Sequence, residues 1–119
     1  MTITLTTLPQ ATAQEVFDQV ATHLLKQNEK SEDLYRCLYR GSNNLKCAAG
    51  CLISDQEYND LLEGNPWASL INSGYVPSEH ADLICSLQRV HDENPVGDWP
   101  ELLSKTAKEF NLTFFKGTL

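Results

Sequence analysis

The chain has 119 residues, with 9 Lys plus Arg against 16 Asp plus Glu, a formal charge of −7 and 41% apolar residues. That length holds one hydrophobic core, and the composition is that of a folded domain rather than a disordered tail. The negative charge argues against direct binding to nucleic acid or an anionic membrane, both of which need a basic face.

The N-terminus has neither a basic segment nor a continuous apolar run, so no secretory signal is read there. No window reaches the roughly 18 apolar residues of a membrane span. Four cysteines (Cys37, Cys47, Cys51, Cys85) without a signal read as reduced thiols, and the expected location is the cytoplasm.

Residues 1–10, rich in Thr and ending at Pro9, suggest a short edge strand or a loose arm. Thr12-Ala-Gln-Glu15 reads as a capping box. Val16, Phe17, Val20, Ala21, Leu24 and Leu25 then form a helical apolar stripe that stops near Gln27-Asn28. Tyr35–Arg40 and Leu45–Ala49 flank Gly41-Ser-Asn-Asn44, the pattern of a β-hairpin. A second box, Ser54-Asp-Gln-Glu57, predicts a helix with Tyr58, Leu61 and Leu62 facing inward and Gly64 at its C-cap.

Asn65-Pro66 restarts a short helix through Trp67, Leu70 and Ile71 that Gly74 ends, with Pro66 at its first position. Ser78 caps a longer helix from Glu79 to Asp92, with Leu83, Ile84, Leu87 and Val90 at core spacing. Asp98-Trp-Pro-Glu101 reads as a third box before Leu102, Leu103, Ala107 and Phe110. Leu112–Phe115 then forms a closing strand or a packed tail. The expected architecture is α+β: a single domain over residues 1–119, predominantly helical, with four to five helices and one small antiparallel hairpin or sheet.

Three chemistries are possible. Cys37, Cys47, Cys51 and His91 are a conceivable zinc set, but Cys-x9-Cys-x3-Cys lacks the tight two-ligand knuckle, which favours small buried hydrophobes. Cys51 or Cys47 with His91 offers a cysteine nucleophile. His80 and His91 share a face of the later helix, where a structural histidine is the preferred reading. Tyr39 and Arg40, with Lys46 on the returning segment, form a local cationic site for a small anion or nucleotide. The competing reading pairs Arg40 with Asp55, Glu57 or Glu63. Tyr58 and His91 complete this candidate binding set. Trp67 and Trp99 read as core or interface anchors.

Tyr39-Arg-Gly41, Lys46-Cys-Ala-Ala-Gly-Cys-Leu-Ile53 with Asp55 and Tyr58, and Leu87-Gln-Arg-Val-His-Asp92 with Trp99 resemble a group of small bacteriophage and bacterial proteins without an assigned activity. The resemblance spans roughly residues 12–112. It implies a phage accessory protein acting in the host cytoplasm, and supplies no catalytic residues. The leading expectation is a non-enzymatic protein, with no cofactor, that binds and inhibits a host or defence component. The alternatives are a small-ligand sequestering protein, for which a homodimer is expected, and a cysteine-dependent enzyme.

Overall fold

Thr12 begins the first helix as its spacing predicts. Its Oγ1 accepts the Glu15 N–H (3.1 Å) while the Glu15 carboxylate accepts the Thr12 N–H (2.8 Å), two otherwise orphaned donors satisfied reciprocally. In the computed structural model, which describes residues 2–34 and 36–114, this opens α1 (Ala13–Gln27), closed by Asn28 in the left-handed conformation (φ 54°). It is followed by α2 (Trp67–Asn72), α3 (Ala81–Glu93) and α4 (Trp99–Glu109), with five short 3-10 turns between and before them.

The helices α1, α3 and α4 pack pairwise, and α2 packs on α3. Phe17 and Leu24 of α1, Ile84 and Leu87 of α3, and Trp99 and Leu103 of α4 are fully buried in one continuous cluster. Each such side chain contributes about 1.5–3 kcal/mol by leaving water. The 3-10 turn Ala49–Leu52 plugs the open side of this packing against α1 and α3. It comes so close to the chain at Tyr39 that a Cβ on Gly50 would lie 2.2 Å from the Tyr39 carbonyl oxygen.

The α+β expectation is overturned: among the described residues there is no strand and no sheet, and the fold is helical. The predicted hairpin survives as a tight turn at residues 41–45 and one isolated antiparallel bridge, Arg40 with Lys46; a second bridge joins Glu32 and Cys37. A ladder does not extend because side chains take its donors. The Glu63 carboxylate accepts both the Tyr39 and Arg40 N–H groups (2.9 and 3.0 Å), and Gln27 accepts that of Lys46 (2.9 Å). Tyr35, the start of the proposed hairpin, lies outside the described residues, as does Phe115.

The second capping box also forms, yet no helix grows from it. Ser54 and Glu57 exchange both bonds (3.0 and 3.3 Å), but the chain turns extended at Asn59, which caps the separate 3-10 turn Asp60–Leu62. Leu61 consequently faces solvent rather than the core, while Leu62 is buried. Pro66 sits extended as the N-cap of α2, one place before its expected position, and α2 ends before Gly74 (φ 81°) as its spacing predicts.

Two further starts differ. His80, not Ser78, is the N-cap of α3: its ring donates to the Ala11 carbonyl (2.7 Å) and its backbone is left-handed (φ 63°). Asp98 makes no cap bond, because the preceding 3-10 turn Val96–Asp98 delivers the chain already helical.

The N-terminal arm is neither strand nor loose. Gln19 pairs with both backbone groups of Ile3, and Glu57 accepts the N–H groups of Leu5 and Thr6. At the other end, Leu112–Phe114 is a packed tail, with the Phe114 ring edge-on to Phe17 at 5.6 Å. No described helix is long and apolar enough to cross a membrane.

Candidate functional site

The residues singled out by sequence do not converge on one site. Arg40 is held internally: Nη1 pairs with Asp55 Oδ1 (2.6 Å), Nη2 donates to the Ile53 carbonyl (2.6 Å), and its guanidinium lies 5.1 Å from the centre of the Tyr58 ring. Asp55 is thus the partner among the three carboxylates considered. Tyr58 donates to Glu63 (2.7 Å), and the buried Tyr39 donates to the Asn65 carbonyl (2.6 Å). Burial followed by the bond to the Glu63 carboxylate pushes the Tyr58 phenol up to about 12. These groups clasp the 39–65 region together.

His91 is fully enclosed, stacked on Trp99 with ring centres 5.5 Å apart. The Ser31 N–H donates to its Nε2 (3.0 Å), and its Nδ1 meets Asp92 Oδ1 at 2.6 Å. A backbone amide can only donate, so Nε2 keeps its lone pair and the proton sits on Nδ1, facing the carboxylate. Asp92 also accepts from Gln88 (2.8 Å) and from the Cys37 thiol. Partial burial raises the Asp92 carboxyl, but these three donors outweigh it and hold it below the ordinary aspartate value.

Cys37, His91 and Asp92 bring their donor atoms within 4.8 Å of one another. The zinc set expected from sequence is therefore gathered only in part: Cys47 and Cys51 fall outside this group. The hydrogen bonding also opposes a metal here. A cation on Nδ1 would move the imidazole proton to Nε2, against the buried Ser31 N–H, and two donors would then face each other. The same bonds leave neither ring nitrogen free to serve as a base.

The thiols are likewise held protonated. Desolvation first, and the Asp92 carboxylate second, push Cys37 up to about 12; desolvation alone does the same for Cys51, and it raises Cys47 and Cys85. Cys51 and Lys46 line one surface depression beside His23, whereas Cys47 and Cys37 line another, so neither Cys47 nor Cys51 is paired with His91. His23 donates through Nε2 to the Lys46 carbonyl (2.9 Å), and desolvation lowers its basicity.

What sequence reading missed is the cleft that holds Cys37. It has a volume of about 550 Å3, a floor that includes Cys37, Leu38 and Cys85, and a rim bearing Arg36, Pro66 and Arg89. Arg36 lies against Gly64, where a Cβ would come 2.5 Å from its Nη1. Three large apolar side chains stand exposed on the described surface: Leu34, Leu61 and Tyr75. The cleft is built from four separate stretches of chain, so no local motif announces it. No protein-family model, curated protein or solved structure matches the chain, and its function is read from its own residues.

Proposed function

We propose that the chain is a non-catalytic accessory protein that acts by binding, and so inhibiting, a host or defence protein. The observation that carries this reading is the division of labour among its side chains. The groups able to do chemistry (His91, Cys37, Cys47, Arg40) are engaged in holding the fold, while Leu61 and Tyr75, flanking α2, are offered to solvent. Exposed large apolar side chains on loops beside a rigid helix are what a partner's surface buries first. The resemblance to small phage and bacterial proteins supports a host component as the class of partner.

The test uses the tagged full chain expressed in a bacterial host. A host protein is expected to co-purify in fixed stoichiometry and to be lost from Leu61→Asp/Tyr75→Ser, with the far-UV circular dichroism unchanged. Expression of the wild-type chain is expected to alter the outcome of phage infection, and that of the double variant to have no effect. Capture and infection phenotypes that both survive the double substitution overturn the reading.

A further inference from the structure

Arg89 and Glu93 stand four residues apart on α3, the spacing at which opposite charges meet across one helical turn. They do not meet. Neither forms an ion pair among the described residues, and Arg89 instead donates to Ser86 Oγ (3.3 Å). Both lie on the exposed rim of the cleft of about 550 Å3, with Arg36 as a third charge that has no ion pair there.

The other polar side chains of the lining are engaged within the fold. Gln88 accepts the Ala49 N–H (2.8 Å) and donates to Asp92 (2.8 Å), which also accepts from His91 and from the Cys37 thiol. Asn65 donates to the Leu61 carbonyl (3.2 Å). Below the rim the surface is apolar: Leu38 and the protonated thiols of Cys37 and Cys85 are half-buried, and the buried Trp67 forms part of the wall. A cleft of this size falls within the range of small-molecule sites.

The charges select the class of ligand. A dianion such as phosphate would gain two guanidiniums but lie against Glu93 and Asp92, and an organic cation would meet the reverse conflict. An uncharged molecule covering the rim would strip water from three ions and leave them unpaired. A molecule with a carboxylate and an ammonium on one carbon answers both signs, the first to Arg89 and Arg36, the second to Glu93. Glu93 is the last residue of α3, where the helix's own carbonyls add a negative end that favours a cation. The apolar floor then takes a large side chain, and an aromatic ring suits walls of sulfur and indole.

We propose that this cleft binds a free α-amino acid with a large apolar side chain, its two charged groups held between Arg89 and Glu93. Leu61 and Tyr75 are not in its lining, so the site stands whether or not they hold a host protein.

Isothermal titration calorimetry of the full chain with L-tryptophan, L-phenylalanine and L-leucine, each to about 10 mM, covers affinities down to the millimolar range. At least one is expected to bind saturably, one molecule per chain, and to move the amide signals of Cys85, Gln88 and Arg89 in nitrogen-15 spectra. Arg89→Glu and Glu93→Gln, both at exposed positions, are each expected to weaken binding about fivefold or more without altering the melting temperature. The amide of the tightest binder lacks the carboxylate and its N-acetyl derivative lacks the ammonium; each is expected to lose as much. Absence of saturable binding by all three amino acids overturns the proposal. So does binding undiminished in both variants, which puts the site elsewhere, or equal binding of either derivative, which makes the ligand the end of a peptide.

Discussion

The Ser31 amide reaches His91 Nε2 across sixty residues of sequence, at 3.0 Å in the dry interior, and so decides which ring nitrogen carries the proton. Nitrogen-15 spectra are expected to show Nε2 as the unprotonated nitrogen and Nδ1 as the protonated one. His91→Leu keeps much of the ring's volume but strands the Ser31 donor, and is expected to lower stability by about 2–3 kcal/mol in urea titrations. Added zinc is expected to leave the wild-type melting temperature where it was, because the metal would have to displace that same bond.

Arg40 and Asp55 form an ion pair whose two halves contribute unequally. Asp55 is 87% exposed, so Asp55→Ala is expected to change stability by less than about 0.5 kcal/mol. Arg40→Ala also abandons the Ile53 carbonyl and the Tyr58 ring, and is expected to cost about 1–2 kcal/mol. Equal losses from the two substitutions in parallel urea titrations would count against this picture.

Glu57 makes stability depend on acid. Its partial burial works against ionisation, but donors from Ser54, Thr6 and Leu5 hold the carboxyl at about 2, below its ordinary 4.5. A carboxyl depressed in the fold contributes fully above the unfolded value and progressively less below it. Its contribution is therefore complete above about pH 4.5 and fades as the pH falls toward about 2. Glu57→Gln is expected to be less stable at neutral pH by about 1 kcal/mol, since solvent screens much of the effect, and to lose part of the wild-type slope in that window. Thermal melts at several pH values measure both.

Gly50 is constrained by space alone. A methyl group there would meet the Tyr39 carbonyl oxygen at 2.2 Å, backbone against backbone, with no flexible side chain to give way. Gly50→Ala is expected to cost about 3 kcal/mol or more, or to prevent folding, whereas Gly97→Ala, with nothing within 4 Å, is expected to be tolerated. Comparing their soluble yields and melts separates crowding from the general effect of replacing glycine.

The thiols are expected to be sluggish. A shift of Cys37 from 9.0 to about 12 removes roughly a thousandfold of its thiolate at pH 8. Iodoacetamide labelling of the native chain should be slower than that of the urea-unfolded chain by a comparable factor. Rapid native labelling at Cys37 would show that burial and the Asp92 carboxylate together do not hold the thiol proton.

The parts of this structure visible in the sequence are those stated locally. Thr12 and Glu15 lie three residues apart and cap α1 as their spacing says, and the apolar faces of α1, α3 and α4 supply half of the buried apolar core. The hairpin could not be judged that way. Tyr39, Arg40 and Lys46 have the strand-like neighbours a ladder needs, but their donors are taken by Glu63 and Gln27, more than eighteen residues distant. Ser54 and Glu57 show the same limit: the local bonds form, while the Glu57 carboxylate also fastens Leu5 and Thr6 and the chain leaves the turn at Asn59. The enclosure of His91 was legible from its place in the apolar stripe; its companions Ser31 and Cys37, and the cleft they adjoin, were not.

The described residues between 28 and 66 contain no α-helix and no strand, yet their amides are fastened at intervals by side chains from α1 and α3: Lys46 by Gln27, Ala49 by Gln88, Ser31 by His91. Such a stretch has no ladder of its own to unzip. To release any of these three amides, a helix must give up a side chain seated in or beside the core, so the irregular segment and the bundle come undone as a single unit. Hydrogen exchange at Ser31, Lys46 and Ala49 should accordingly run as slowly as in the middle of α3, an irregular stretch with the endurance of a helix.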